Sequence, residues 1–151
     1  MSSITITEAE RDAWRGFRRI SEIISGRITQ EITRATGLSG PDFGILMQLD
    51  QVVEGVRRQR DLQAFLEWDK PRISHQLTRM SGRGLIERES SEAKAVMIRM
   101  TAEGRAQLAV AKPIHAKALR DCFLDHLSPD EVLALVAITG KLRLALVGPS
   151  D

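Results

Sequence analysis

The sequence predicts a mainly α-helical fold with one small β-hairpin in its second half, on the strength of three observations. Apolar residues recur at intervals of three and four along most of the chain, as they do on one face of an amphipathic helix. Helix start and stop signals bound these stretches. Only between residues 85 and 100 does the pattern change to that of short extended strands.

The first helical stretch begins at a capping box, Thr7-Glu8-Ala9-Glu10, in which each end can satisfy a backbone amide of the other. Its apolar stripe consists of Ala13, Phe17, Ile20, Ile24, Ile28 and Ile32. This spacing predicts one long amphipathic helix that ends near Gly37. A second helix is expected to start at Ser39-Gly-Pro-Asp42. Its buried side would consist of Phe43, Leu46, Met47 and Leu49.

Two short helices joined by a tight turn are predicted next. Residues 58–68 form the first, with Leu62, Phe65 and Leu66 expected to face inward, and it is broken ahead of Pro71. The second presents Ile73, Leu77 and Met80 on one face and ends at Gly82-Arg83-Gly84. Such a pair, the second member more basic than the first, is typical of a helix-turn-helix.

Residues 85–89 and 95–100 fit two strands, and the polar link at 90–94 makes them a β-hairpin, or wing. Helices are expected to restart at Thr101 and at Ser128-Pro-Asp-Glu131, which has the strongest cap in the chain. The last helix is apolar on more than one face. Because so small a chain cannot cover it alone, a partner subunit is expected to do so.

Composition excludes several classes of protein. The 151 residues are 42% hydrophobic, 28% charged and 4% aromatic, which suits one packed domain. One cysteine, Cys122, leaves no internal disulfide and no cysteine-rich metal site. The N-terminus does not resemble a signal peptide, and the longest apolar run, Val132–Ile138, is far shorter than a membrane span. We therefore expect a cytoplasmic protein with no membrane partner.

The net charge of +2 is unevenly distributed. Residues 55–83 contain seven Lys and Arg against three Asp and Glu, whereas residues 1–54 have an acidic excess and residues 84–151 are balanced. The segment 70–83 has four Lys and Arg, one His and no acidic residue. A local basic surface of this kind is typical of a polyanion-binding site, although a solvated basic helix would look the same on charge alone.

The helix at 70–83 is the candidate recognition helix. Its outward side is predicted to present Arg72, Ser74, His75, Gln76 and Arg79. Arginine can pair bidentately with guanine and glutamine with adenine, while serine can contact phosphates or base edges. Together with cations nearby, the predicted DNA-binding residues are Arg58, Lys70, Arg72, Ser74, His75, Gln76, Arg79 and Lys94.

At this point the sequence resembles the MarR family of transcriptional regulators. The string from Leu62 to Arg88 is similar to that family's helix-turn-helix and first wing strand, the stretch 38–49 to the helix entering it, and 96–104 to the returning strand and the next helix. The resemblance covers about residues 10–147. It implies a single domain, 1–151, with a winged helix-turn-helix at about 39–101 and dimerisation helices at about 8–36 and 102–147.

The resemblance also implies a function. MarR-type proteins are homodimers whose two modules enter successive major grooves of double-stranded DNA, so the operator should be a pseudo-palindrome. Their wing carries an Asp-x-Arg element, which aligns here with Glu92-Ala93-Lys94. Glu92 would support Lys94, and because lysine lacks the planar fork of arginine, we expect a weaker wing contribution to sequence preference.

Family members often lose DNA affinity on binding small aromatic or phenolic effectors, and some sense oxidants through a cysteine. Cys122 lies among apolar neighbours and close to acidic residues, so a buried structural thiol is expected instead of a sensor. His115 and His126 are expected to be surface or interface residues. No catalytic arrangement, metal-ligand spacing or cofactor motif is found. The sequence therefore predicts a ligand-responsive repressor, with a winged-helix module that docks an acidic protein partner as the alternative.

Overall fold

The computed structural model describes residues 4–149, which form six α-helices, three short strands and one 3-10 turn. In chain order these are α1 (Glu8–Thr36), α2 (Gly40–Asp50), β1 (Val56–Arg58), α3 (Gln59–Leu66), α4 (Lys70–Gly82), β2 (Ile86–Ser90), β3 (Val96–Met100), α5 (Ala102–Cys122), the 3-10 turn Leu124–His126 and α6 (Pro129–Val147). The predicted fold class is confirmed: the chain is mainly helical with one small sheet. Residues 1–3, 150 and 151 of the predicted single domain lie outside the described residues.

The described residues divide into two compact units. One runs from Thr29 to His115 and contains α2, α3, α4 and the sheet. The other combines the chain up to Ile28 with the chain from Ala116 onward, and it contains most of α1, the end of α5 and α6. We call them the central unit and the terminal unit.

Reciprocal capping boxes start three of the helices. They pair Thr7 with Glu10, Ser39 with Asp42, and Ser128 with Glu131. In α2 the Ser39 hydroxyl accepts the backbone N–H of Asp42 at 3.1 Å, and the Asp42 carboxylate accepts that of Ser39 at 2.8 Å. Caps of this type contribute about 0.5–2 kcal/mol each, so the short polar sequences ahead of these helices fix where they begin.

The sheet has three antiparallel strands in the order β1-β3-β2. The predicted hairpin is confirmed as β2 and β3, with Ile86 opposite Met100 and Ser90 opposite Val96. Sequence patterns missed β1, which pairs residues 56–58 with 97–99 of β3. A strand of three residues, two of them arginine, has too little alternation to be recognised.

The core of the central unit is built from residues spaced by three and four along the helices. Ile73, Leu77 and Met80 of α4 are completely buried, as predicted, and so is Leu62 of α3. They pack with buried side chains of the neighbouring elements, namely Leu38, Ile45, Leu46, Leu49, Ile86, Ile98 and Leu108. Burial of each such side chain stabilises the unit by roughly 1.5–3 kcal/mol, which holds α4 with its polar side outward.

Phe65 corrects one prediction. It was expected to face inward from α3, but it is 59% exposed. On a helix of 3.6 residues per turn, Leu66 lies about 40° to one side of Leu62 and Phe65 about 60° to the other. The short α3 buries only a narrow face centred on Leu62, and Leu66, on the nearer side, is half-buried.

The start of α5 lies against the end of the helix-turn-helix. The Thr101 backbone N–H donates to the Leu85 carbonyl at 3.2 Å, and the Thr101 hydroxyl donates to the Gly84 carbonyl at 2.6 Å. A Cβ at position 104 would lie 2.1 Å from the Leu85 oxygen, so only glycine fits there. This contact fixes where the chain leaves β3 and enters α5.

The terminal unit keeps many apolar side chains exposed. On α1 these include Trp14 and Phe17, and on α6 they include Leu133, Val136 and Leu142, each exposed by half or more. A groove of about 490 Å³ runs through this unit, lined by apolar residues of α1, α5 and α6. Among the described residues, no helix is both long and apolar enough to cross a membrane.

Candidate nucleic-acid interface

The outer side of α4 is a cationic surface with no acidic residue from Lys70 to Gly82. Asp69 caps the helix, its carboxylate accepting the backbone N–H of Arg72 at 2.7 Å, and Pro71 occupies the first turn. Of the predicted residues on this helix, those exposed are Lys70, Arg72, His75 and Arg79. Arg72, His75 and Arg79 lie within about 60° of one another around the helix axis and therefore present hydrogen-bond donors on one face.

Arg72 is held in place by an aromatic ring. Its guanidinium carbon lies 4.1 Å from the ring centroid of Trp68, which precedes α4 in the turn of the helix-turn-helix. Such a cation–π contact restricts a side chain that would otherwise sample many rotamers. Trp68, which was not among the predicted site residues, is thus a support for Arg72.

Gln76 corrects another prediction. It was expected on the outward side, but it is only 3% exposed, and its Nε2 donates to Oδ1 of Asp42 at 2.6 Å. Its Oε1 accepts a hydrogen bond from Nη2 of Arg79. Position 76 lies three residues after Ile73 and four before Met80, so its spacing is that of the buried face, and only its polarity suggested otherwise.

Ser74 is half-buried, and its backbone is engaged by the sheet. Arg88 of β2 donates from Nη2 to the Ser74 carbonyl at 2.8 Å and from Nη1 to the Thr78 hydroxyl at 3.2 Å. The Thr78 hydroxyl itself donates to the Ser74 carbonyl at 2.9 Å. Arg88 was not predicted to belong to the site. It fastens α4 to the wing.

Arg58 and Lys70 line one groove of about 510 Å³ in the central unit. The other lining residues are Gln59, Arg60 and Gln63 of α3 and Ala93, Ala95 and Val96 of the wing. Three cations and no acidic residue line it. The groove brings α3, the start of α4 and the wing together, and it adds Arg60 to the predicted cations.

The wing turns between Ser91 and Ala95. The Ser91 N–H donates to the Ala95 carbonyl and the Lys94 N–H to the Ser91 carbonyl, both at 2.9 Å. Lys94 adopts a left-handed conformation, with φ of 57°. Lys94 and Glu92 are both exposed, and among the described residues no ion pair joins them. The turn therefore presents Lys94 without visible support from Glu92.

An ion pair braces the two wing strands. Nε of Arg99 on β3 donates to Oε1 of Glu89 on β2 at 2.9 Å. The hydrogen bond from Arg99 lowers the pKa of the Glu89 carboxyl below its ordinary value of 4.5, and the same bond raises the pKa of Arg99. Both groups are therefore charged near neutral pH.

Other residues considered in the sequence lie apart from this surface. The ring of His115 stacks on Phe43 with 4.8 Å between centroids, and Nε2 of His126 lies 2.9 Å from the Asp121 carbonyl oxygen. Cys122 is half-buried. Within residues 4–149, no three His, Cys, Asp or Glu side chains are grouped so as to hold a metal ion.

Comparison with solved structures finds the same fold in transcriptional regulators of the MarR family. The MarR-family regulator Sco3205 of Streptomyces coelicolor, solved in complex with DNA, has a TM-score of 0.92 and 22% identity, over 99% of this chain and 94% of that one. AbsC, a MarR-family regulator of the same organism, also has a TM-score of 0.92, with 26% identity over 97% of this chain and 100% of that one.

A third similar structure contains a ligand. The organohalide-sensing transcriptional regulator RdhR, solved in the 2,4-dichlorophenol-bound form, has a TM-score of 0.82 and 20% identity, over 93% of this chain and 82% of that one. No protein-family model matches the sequence, and no curated protein matches it. The similarity thus extends over nearly the whole chain in structure, while sequence identity is low.

Proposed function

We infer that this chain, a winged-helix protein of the MarR type, is a transcriptional regulator that binds double-stranded DNA sequence-specifically. It acts as a homodimer on a pseudo-palindromic operator and represses transcription. The observation that carries this proposal is the acid-free outer face of α4, on which Arg72 is stacked and Arg79 is hydrogen-bonded. The DNA complex of the similar protein Sco3205 supports the same assignment.

The exposed cations fall into groups that are proposed to make different contacts with DNA, according to their positions. Arg72, His75 and Arg79 lie on the recognition helix and are proposed to read base edges, since arginine pairs bidentately with guanine. Arg58 and Lys70 line the groove beside α3 and are proposed to contact phosphates, as is the hydroxyl of Ser74. Lys94 at the wing turn is proposed to enter the minor groove.

The homodimer is supported by the exposed apolar surface of the terminal unit. Side chains such as Phe17, Val136 and Leu142 are 50% or more exposed in the single chain. Contiguous apolar surface of this extent typically marks a protein interface. A second copy of the same chain, contributing the same helices, would cover it and set two recognition helices about one DNA turn apart.

A small aromatic or phenolic effector that weakens DNA binding is also proposed. Its support is the fold similarity to RdhR, whose structure contains 2,4-dichlorophenol. The three similar structures described above are of transcriptional regulators, and we propose no enzymatic activity for this chain.

Fluorescence anisotropy with fragments of the upstream genomic DNA and a random duplex, at several salt concentrations, tests the proposal. A fragment bound at least ~10³-fold more tightly than random DNA, with steep salt dependence, is expected. If all duplexes bind alike, or none binds, the docking of an acidic protein partner becomes the better explanation. In vitro transcription from the bound fragment should fall when protein is added; a rise would mean activation.

Three variants separate the proposed roles. Arg72→Ala should weaken operator binding by roughly five- to a hundredfold and relax the preference at one base pair. Arg58→Ala and Lys94→Ala should each lower the salt slope by about one unit, with little change in base preference. Arg27→Ala, which removes an exposed cation from α1, is the control and should change neither quantity. An unchanged affinity and slope in Lys94→Ala would contradict the wing assignment.

A further inference from the structure

A buried carboxylate lies directly beneath the recognition helix. Asp42 of α2 is 1% exposed, and three donors reach it from different parts of the central unit. Its Oδ2 accepts from the Ser39 backbone N–H at 2.8 Å and from Nη1 of Arg83 at 2.6 Å. Its Oδ1 accepts from Nε2 of Gln76 at 2.6 Å. The capping box explains only the first of these bonds.

The chemistry of its two neighbours fixes the orientation of the Gln76 amide. An ionised carboxylate can only accept hydrogen bonds, and a guanidinium can only donate them. Gln76 lies between the carboxylate of Asp42 and the guanidinium of Arg79, so its NH₂ must face Asp42 and its oxygen must face Arg79. A side chain with both a donor and an acceptor is required at this position.

The consequence reaches the surface of the protein. Arg79 is exposed, whereas Gln76 is buried and held by Asp42. A long arginine side chain on a helix surface would otherwise move among many rotamers and lose that freedom on binding. Arg79 is instead tethered at one of its nitrogens, which leaves its remaining N–H groups pointing outward from a restricted position.

We propose that Asp42 and Gln76 are positioning residues that orient Arg79 for base recognition, and that they set the base preference at the pair Arg79 contacts. This inference rests on the proposed DNA-binding function. Neither residue touches DNA. Asp42 acts through Gln76, and Gln76 acts through Arg79.

Two variants interrupt the chain of hydrogen bonds in different ways. Gln76→Leu keeps a buried side chain at this position and removes both the donor and the acceptor. Asp42→Asn keeps the shape of Asp42 but introduces an NH₂ group, which cannot face the N–H donors of Ser39 and Arg83. That NH₂ must face Gln76, so the Gln76 amide turns over and presents its own N–H groups to Arg79, which repels them.

The first readout requires no DNA. The order parameter of the Arg79 Nε–H bond, measured by ¹⁵N relaxation and assigned with Arg79→Lys, should be near that of a rigid group, about 0.85, in the wild type. It should fall below about 0.6 in both variants. The signal of Arg72, which is held by Trp68, serves as the internal control and should not change. An Arg79 order parameter that is the same in wild type and variants would overturn the proposal.

The second readout is base preference, measured by anisotropy on the operator and on each single-base-pair substitution of it. The position at which Arg79→Ala loses discrimination defines the pair that Arg79 contacts. Gln76→Leu and Asp42→Asn should reduce discrimination there by about three- to tenfold and leave other positions unchanged. In the Arg79→Ala background, Gln76→Leu should cause no further change, whereas Arg72→Ala should add its own effect.

Discrimination is a ratio of two affinities measured on one preparation, so a lower folded fraction in a variant cancels. Equal discrimination in wild type and variants would overturn the proposal, even if Arg79 had become mobile. If the wild type itself shows no base preference, the proposed function fails. The order parameter then still decides whether Asp42 and Gln76 position Arg79.

Discussion

Arg72 and Arg79 lie on the same helix face but are held by different physical means. Arg72 is stacked on an indole ring, and Arg79 is hydrogen-bonded to an amide that is itself anchored in the core. A stacked guanidinium keeps its N–H groups available in its own plane, while a hydrogen-bonded one gives up a donor in exchange for a fixed position. The two arginines should therefore respond differently to loss of their supports.

Removing the ring beneath Arg72 should weaken operator binding without changing the fold of the central unit. A cation–π contact at a partly exposed site is worth about 0.5–1 kcal/mol, so Trp68→Ala should reduce operator affinity by roughly two- to fivefold. Trp68→Phe keeps an aromatic face and should lose less. Anisotropy on the operator measures both variants. Wild-type affinity in Trp68→Ala would mean that Arg72 does not need the ring.

At the residue scale, the burial of a side chain could be predicted where its spacing along the helix and its polarity agreed. Ile73, Leu77 and Met80 have both the spacing and the chemistry of core residues, and all are buried. Gln76 has the spacing of a core residue and the polarity of a surface one, and spacing prevailed because a carboxylate was available beneath it. That partner comes from α2, 34 residues earlier, so no local pattern could reveal it.

At the scale of the elements, helix starts could be read from the sequence because their determinants are local. A capping box needs only four consecutive residues, and the three boxes at Thr7, Ser39 and Ser128 all form. The strand β1 and the outward position of Phe65 could not be predicted in the same way. They depend on pairing with β3 and on which narrow face of α3 meets the core, and both are tertiary effects.

The junction between the sheet and α5 depends on a glycine. Gly104→Ala would place a Cβ 2.1 Å from the Leu85 carbonyl oxygen, so the backbone must shift and the central unit should lose about 1–3 kcal/mol of unfolding free energy. Gly44→Ala is the matched control, since its Cβ meets no atom within 4 Å and a helical alanine is favoured over glycine by about 0.5–1 kcal/mol. Urea denaturation compares them. Equal stabilities would contradict the close approach.

The stability of the wing hairpin should fall at low pH. The bond from Arg99 lowers the folded-state pKa of Glu89 below 4.5, so the pair stabilises the hairpin above about pH 4.5 and loses this contribution as pH falls through the lower, folded-state pKa. An NMR titration of the Glu89 carboxyl carbon should find its pKa below 4.5 in the wild type. In Arg99→Gln the pKa of Glu89 should rise. A Glu89 pKa that is the same in the wild type and in Arg99→Gln would refute the pairing.

At the scale of the whole molecule, the two units differ in how much of their apolar surface is buried. The central unit has a buried apolar core, although Phe65 of α3 remains 59% exposed, whereas the terminal unit leaves large side chains of α1 and α6 exposed. The sequence predicted this difference, because an apolar stripe on both faces of the last helix has too few partners within 151 residues. It could not say which residues would line the groove in the terminal unit, since that depends on how three distant helices meet.

Disrupting this apolar surface should separate the subunits of the proposed homodimer. Leu142 of α6 is 50% exposed in the single chain, and a charge placed there would have to be buried on association, so Leu142→Asp should shift the protein from dimer to monomer at micromolar concentration. Lys141→Asp introduces the same group at the adjacent exposed position and should remain dimeric. Sedimentation velocity measures the mass, and circular dichroism checks that helix content is retained.

Loss of the dimer should also change DNA binding. Because a monomer can contact only one half-site, the affinity of Leu142→Asp for an isolated half-site should equal its affinity for the complete operator. If Leu142→Asp stays dimeric, the second copy does not use this face of α6. If the wild type is already monomeric, the exposed apolar surface does not form the proposed homodimer in free solution.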